Sequence, residues 1–455
     1  ATIANKTVST CSGTGFTVTP SNGGGDIVPS GTTYAWSAPT VTGSLTGGAL
    51  ATGQSSIAGT LTNPTNVPQT ATYTVTPTSG SCTGPTFTVV ATINPKPVIA
   101  NKTPSICSGE AFTVSPSNGS DIVPSNTTYT WTVVDNASVT GESNQASGQS
   151  SISQTLTNNT NTAKTVVYTV TPTSGDAGSC VGSTFTVTVT VNPIATIANK
   201  TASTCSGTGF TVTPSNAGGD IVPTGTTYTW SAPTVTGNLT GGVSATGQAS
   251  IAGTLTNPTN TPQTATYTVT PRSGTCNGPT FTVVATINPR PLVPNQTATI
   301  CSGEAFTISP TNNPTLTIVP SGTTYTWTVV SNANVTGESN QSTGQSSISQ
   351  TLTNTTNAVQ TVVYTVTPTS GDAGNCVGTN FTVTVTVNPT PVIANKTSTI
   401  CSGAAFTITP SNAGGDIVPA STTYTWTVAP NADVTGESNQ AVGQSSISQT
   451  LTNTS

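Results

Sequence analysis

The segment Val98-Ile-Ala-Asn-Lys-Thr-Pro-Ser-Ile-Cys-Ser-Gly-Glu-Ala-Phe112 returns with small changes at 1–16, 195–210, 292–306 and 392–406. Its cysteine recurs as Cys11, Cys107, Cys205, Cys301 and Cys401, at intervals of 96, 98, 96 and 100 residues. Self-similarity at such a period means a row of like units, each long enough to close one modest core. The expected units are therefore 1–97, 98–194, 195–291 and 292–391, with a fifth, 392–455, that stops early. The chain lacks an initiating Met and both starts and stops inside the pattern, so the expectation is a window from a longer, processed protein.

Within a unit the periodicity is that of strands. In the second unit, Phe185, Val187, Val189 and Val191 alternate with Thr186, Thr188 and Thr190, the mark of a sheet strand with one buried face. It pairs by hairpin logic with Thr165–Pro172 across a Gly-rich loop. Further strands are expected at Val98–Lys102, at Ala111–Ser115 ending before Pro116, at Thr127–Val134 and at Ser151–Thr157. Several short strands in about 97 residues, separated by turns, describe an immunoglobulin-like β-sandwich. The fold class is thus all-β, a linear array of tandem sandwiches. With 33% hydrophobic residues, 44 Gly and 33 Pro the composition could suggest disorder, but disorder goes with low hydrophobicity and high charge, and here only 5% of residues are charged and the apolar ones alternate regularly.

Each unit carries one Trp (Trp36, Trp131, Trp230, Trp327, Trp426), two residues after a Tyr (Tyr34, Tyr129, Tyr228, Tyr325, Tyr424). Period two puts both rings on one face. They read as a core plug between two sheets, the rival being an exposed sugar-binding platform. The linkers Asn94-Pro-Lys-Pro, Asn192-Pro-Ile-Ala, Asn288-Pro-Arg-Pro and Asn388-Pro-Thr-Pro are short and restrained in φ. Stiff joints between units of roughly 30–40 Å predict a rod or filament, very roughly 150–200 Å over this window. Odd and even units differ. Ser-Ala-Pro-Thr-Val-Thr-Gly marks the first and third. Val-Thr-Gly-Glu-Ser-Asn-Gln and a Ser-Gly-Asp-Ala-Gly loop mark the second and fourth, as if a two-unit block had been duplicated.

Chemistry has little to work with. Eight Lys plus Arg against thirteen carboxylates cannot build a nucleic-acid stripe, and no apolar run is long enough to cross a bilayer. With no His and no Cys-x-x-Cys, zinc sites of the usual kinds are excluded, and no thiol has an imidazole to activate it. We expect no catalytic residue, no metal and no cofactor. Asp26, Asp121, Asp220 and Asp416 recur at one position where the fourth unit has Thr317. Glu142, Glu338 and Glu437 recur at another, absent from the first and third units. Both read as solvated turns, in preference to acid–base pairs or calcium ligands. Lys6, Lys102, Lys200 and Lys396 in the first strand, with Asn94, Asn192, Asn288 and Asn388 closing the last, could form isopeptide crosslinks. The fourth unit breaks that pattern with Gln296.

The cysteines come in pairs per unit: Cys11 and Cys82, Cys107 and Cys180, Cys205 and Cys276, Cys301 and Cys376, with Cys401 left over. Evenly spaced cysteines in a polar β-rich chain point to an oxidising, extracellular place and to half-cystines. Two pairings remain open. Pairing within a unit joins Cys11 to Cys82 and its equivalents, but a sandwich places the first turn and the last hairpin at opposite ends, ~30 Å apart. Pairing between neighbours predicts bridges such as Cys11–Cys180, Cys107–Cys276 and Cys205–Cys376, with Cys82 and Cys401 bridged to units outside the window.

The Cys-Ser-Gly-Glu turn, Thr-Thr-Tyr-Thr-Trp, Tyr-Thr-Val-Thr-Pro and Phe-Thr-Val-Thr-Val-Thr-Val-Asn-Pro together resemble PKD-like, immunoglobulin-like repeats of giant Bacteroidota surface proteins, including the adhesin filaments of gliding species. The Trp-Asp-Phe-Gly-Asp-Gly segment of PKD domains proper is missing, which places the likeness on the PKD-like branch. The resemblance implies type IX export and a cell-surface location, and it assigns no catalytic or ligand residue. The reading is a disulfide-stapled structural stalk of a very long cell-surface adhesin or filament, serving surface attachment and gliding motility. Its partners are neighbouring repeats, surfaces or glycans, and other chains in a filament. The rivals are a glycan-binding array and a spacer of a secreted enzyme.

Overall fold

The computed structural model describes residues 1–455 apart from 176–177, 314 and 372–373. All regular structure among the described residues is β. In 1–97 the strands are β1 (Lys6–Cys11), β2 (Gly15–Val18), β3 (Thr33–Trp36), β4 (Thr40–Val41), β5 (Thr46–Gly47), β6 (Ala51–Gln54), β7 (Ile57–Thr62), β8 (Gln69–Ser79), β9 (Cys82–Thr83) and β10 (Phe87–Asn94). One sheet runs β1-β10-β8-β3-β6, with β4 and β9 also paired to β8, and the second runs β2-β7-β5. β1 is parallel to β10, with Lys6 opposite Val89 and Cys11 opposite Asn94. β8 and β10 are antiparallel, with Tyr73 opposite Val89.

The alternation predicted from sequence decides which face is dry. β10 alternates fully and partly buried residues, and Val89, Ala91 and Ile93 are fully buried, as are Ala71, Tyr73 and Val75 of β8. Fully burying each large apolar side chain is worth roughly 1.5–3 kcal/mol. β-branched residues suit such strands because their single χ1 well costs little on a pleated surface. Between the sheets Tyr73 packs on Phe16 and edge-on against Trp36 (centroids 5.7 and 6.4 Å), and Tyr34 lies edge-on to Phe87 (6.2 Å).

The chain divides into two compact units: Ala1–Ala198 with Pro214–Thr227 and Thr270–Pro279, and Asn199–Thr213 with Tyr228–Val269 and Thr280–Ser455. In the first unit, 98–194 repeats the fold of 1–97, with the sheet order Ser105–Cys107, Phe185–Asn192, Lys164–Thr173, Thr128–Val133, Gln145–Gln149. In the second unit, 292–391 does the same, and a core of Phe306, Tyr325, Trp327, Ile348, Tyr364, Phe381 and their neighbours fills it.

Two expectations need correction. The first strand lies beside the cysteine turn, at Ser105–Cys107, and not at Val98–Lys102. Val98 instead bridges Ile122, and Pro104 (where the first repeat has Val8) removes an N–H, so only Lys102 and then Ser105–Cys107 pair with the last strand. Trp36, Trp131, Trp230 and Trp327 are buried, but Trp426 is only half-buried. Trp426 lies in a two-stranded sheet, Tyr424–Trp426 with Gln440–Gln444, whereas Trp327 lies in a five-stranded one whose neighbouring strands help to cover the ring.

Candidate functional site

The serine of the Cys-Ser-Gly turn is part of the scaffold. Ser12 is buried, and its Oγ accepts the backbone N–H of Asn63 (2.9 Å). The Asn63 side-chain amide donates to the carbonyls of Ile93 and Val67 (2.9 and 2.8 Å), tying the turn to β10. Ser108 with Asn158, Ser206 with Asn257, Ser302 with Asn354 and Ser402 with Asn453 repeat the bond at 2.9–3.0 Å. Gly13 sits at φ +74° and donates to Leu61 O (2.8 Å), a left-handed conformation that favours glycine. In even repeats Glu110 and Glu304 accept the N–H of the preceding cysteine at 3.0 Å. The stretch is a turn held by buried hydrogen bonds, and its hydroxyl is occupied.

The cysteines meet across repeats. Within the first unit Cys11 is bonded to Cys180 and Cys107 to Cys276, and within the second Cys205 is bonded to Cys376, with Cα–Cα separations of 5.6, 5.6 and 5.7 Å. All three join neighbouring repeats. Register explains the choice. Cys11 lies opposite Asn94 at the exit end of its sandwich, whereas Cys82 lies in the β8–β9 hairpin at the entry end, where Gly84 abuts the Ala1 carbonyl. Cys180, Cys276 and Cys376 are each buried, while Cys82, Cys301 and Cys401 are unbonded and exposed.

Beside the Cys11–Cys180 and Cys205–Cys376 bridges a glycine backbone passes close to an asparagine side chain. A Cβ on Gly178 would come 2.8 Å from Asn94 Nδ2, and one on Gly374 would come 2.5 Å from Asn288 Nδ2. The linker prolines are packed there: Pro95 and Pro97, like Pro289 and Pro291, are buried. Pro389 is half-buried and Pro391 exposed. Asp176–Ala177 and Asp372–Ala373 of the Ser-Gly-Asp-Ala-Gly loops lie outside the described residues.

The recurring acids are structural, which corrects the solvated-turn reading. Asp26 is buried, accepts the Ala4 N–H (2.8 Å) and pairs with Lys6 Nζ (2.5 Å); Asp121 does the same with Ala100 (3.0 Å) and Lys102 (2.6 Å), and Asp416 with Ala394 and Lys396. Asp220 accepts the Ala198 N–H at 2.9 Å. The Lys6 hydrogen bond and then the Ala4 N–H hold the Asp26 carboxyl below the usual carboxylate range. For Asp121 burial pushes upward, but the Lys102 and Ala100 bonds outweigh it and the net shift is also downward. In the fourth repeat Thr317, Gln296 and Pro294 replace the acid, its lysine and its N–H donor together.

These lysines therefore face aspartates, and Lys6 stands five register positions from Asn94 on the same sheet edge, which removes the Lys–Asn crosslink. Glu142 and Glu338 accept the N–H groups of Asn136 and Asn332 (2.9 and 2.6 Å), each with its other oxygen buried, so they brace loops and are not solvated. Glu437 accepts the Asn431 N–H in the same way (2.9 Å).

The Tyr and Trp rings of complete repeats are buried and form no sugar platform. Burial raises the Tyr129 hydroxyl to about 12. On the outer face of the main sheet Thr326, Thr328, Asn340, Gln341, Thr365 and Thr367 line an open concavity of about 590 Å³, with counterparts at Thr130–Asn144 and Thr425–Asn439. Trp327 also borders it, and the polar groups lining it are hydroxyls and amides, able to hydrogen-bond but not to move protons. No group of three or more potential metal-ligating side chains, and no helix long and apolar enough to cross a membrane, occurs among the described residues.

The fold and its joints define a tandem array of immunoglobulin-like β-sandwich repeats. A family model described as "PKD-like domain" matches 8–97, 104–195, 202–291, 298–391 and 398–455, and the chain belongs to that family. No curated protein matches. Among solved structures, the human desmocollin-1 ectodomain is similar at 12% identity over 99% of this chain and 93% of its own, with a TM-score of 0.25. Insect hemolin is similar at 11% over 85% and 98% (TM-score 0.22). The Drosophila N-cadherin EC1–4 fragment matches at 11% over 85% and 99% (TM-score 0.21).

Proposed function

We propose that this chain is a structural, load-bearing repeat region of a very long bacterial cell-surface adhesin or filament, exported by a type IX system and serving attachment or gliding. The observation that carries the reading is the set of disulfides that crosses from repeat to repeat, beside buried Pro linkers. Such bonds persist in oxidising, extracellular surroundings. They serve mechanical continuity, because a sandwich fold needs no bond to its neighbour to close its own core. Cys82, Cys301 and Cys401 hold the positions of bonded cysteines in the other repeats. The proposed domains keep the boundaries 1–97, 98–194, 195–291, 292–391 and 392–455. Catalysis has no support in the residue set: the turn serine is engaged and the recurring acids brace loops.

Antibodies raised against the chain test this reading. They should label intact cells, and Fab fragments should reduce attachment or surface movement. Labelling only after permeabilisation would overturn it.

A further inference from the structure

The three disulfides overlap along the sequence: 11–180 encloses Cys107, and 107–276 encloses Cys205. This interleaving has a consequence for tension. From Cys11 to Cys376 the backbone runs through about 365 residues, about 1,250 Å when drawn out at ~3.4 Å per residue. A shorter covalent route crosses Cys11–Cys180, follows the backbone to Cys205, and crosses Cys205–Cys376. That route contains about 25 residues, about 85 Å at full extension, plus two bridges. Much of it is already extended in the fold: Phe185–Asn192 is an eight-residue strand and Lys200–Cys205 a six-residue strand. A second track starts in the same way, through Cys107–Cys276, Phe281–Asn288 and Gln296–Cys301, and ends at the unbonded Cys301.

We infer that the interleaved disulfides make the array a nearly inextensible covalent tether, in which tension runs along alternate last-strand, linker and first-strand segments and bypasses the rest of each sandwich. Ordinary tandem sandwiches lengthen when one unit gives way and releases its whole chain. Here the failure of every hydrogen bond in 98–179 adds no length between Cys11 and Cys180, because the bridge already spans them. The hydrogen-bonded sheet is thereby relieved of the load, which rests on covalent bonds. Cleavage of the 94–97 linker likewise leaves the first and second repeats joined. The inference deepens the load-bearing reading, but it is a property of the purified chain and stands or falls separately from cell-surface location.

Single-molecule stretching of the full 455-residue chain between terminal handles tests it, with Cys82, Cys301 and Cys401 alkylated beforehand to prevent thiol exchange. Oxidised, the shortest route between the ends holds about 115 residues, so full extension is about 390 Å; reduced, it is about 1,550 Å. Reductant should therefore add about 1,150 Å of contour length. In a Cys180→Ser chain the shortest route lengthens by about 140 residues, so an intermediate gain of about 480 Å is expected without reductant. An oxidised chain that lengthens as far as the reduced one, or a Cys180→Ser chain that lengthens no further than the oxidised wild type, would overturn the inference.

Discussion

Replacing Lys102 by Gln tests the buried ion pair, because the fourth repeat shows what the site tolerates. The Asp121 side chain is 3% exposed and its lysine partner 28% exposed. Removing one member of a fully buried pair costs about 3–5 kcal/mol. Solvent reaching Lys102 screens this one, and the Ala100 N–H still serves the carboxylate, so about 1–3 kcal/mol is expected. Native-state hydrogen exchange followed by mass spectrometry on 98–125 should then speed up by about 5–150-fold. The triple change Lys102→Gln, Asp121→Thr, Ala100→Pro copies the fourth repeat and should recover most of that loss, since no unpaired charge remains. Asp121 titrates below an unfolded carboxylate, near 3.9. Its stabilisation is thus complete above that value and fades as pH falls through the lower folded pKa, where wild type and Lys102→Gln should converge. The reasoning fails if the triple variant exchanges faster than the single one, or if the gap does not narrow as pH falls below the unfolded value.

Other perturbations discriminate among the remaining contacts. Ser108→Ala removes the acceptor of the buried Asn158 N–H and should destabilise the turn by about 1–3 kcal/mol, seen as faster exchange at 156–160. Tyr168 donates to Gln154 (2.8 Å), whereas the Tyr73 hydroxyl is buried with no partner among the described residues, Gly59 standing where Gln154 does. Tyr168→Phe should therefore cost about 1 kcal/mol and Tyr73→Phe nothing or less, compared by exchange in 164–173 and 69–79. Gly374→Ala places a methyl against Asn288 and should lower the yield of the Cys205–Cys376 bridge on oxidative refolding, measured by alkylation and mass.

The sandwich was legible because alternation of Val with Thr is a local property: Phe185–Val191 and Thr165–Pro172 sit within a residue or two of the observed strands. The edge strand Gln145–Gln149 was not, since Gln-Ala-Ser-Gly-Gln carries no apolar alternation and is held by backbone pairing through a bulge beside Tyr129 and Trp131. Asp26 and Lys6 lie twenty residues apart on an irregular loop and a strand start. Their pairing leaves no periodic signal, only the joint loss of acid, lysine and N–H donor in the fourth repeat. The half-buried glutamates were hidden for the same reason: a loop's own N–H groups, invisible in side-chain patterns, are what they serve. The joints were half legible, since sandwich ends restrict which cysteines can meet, while the close backbone passage at Gly178 and Gly374 emerges only in three dimensions.

Peptide mapping without reduction, after thiol blocking and digestion at acid pH, bears most directly on the repeat-to-repeat bond. The account predicts linked fragments carrying Cys11 with Cys180, Cys107 with Cys276 and Cys205 with Cys376, and blocking label on Cys82, Cys301 and Cys401 of this chain. Fragments joining Cys11 to Cys82 or Cys107 to Cys180 would place each bond inside its own sandwich and contradict it.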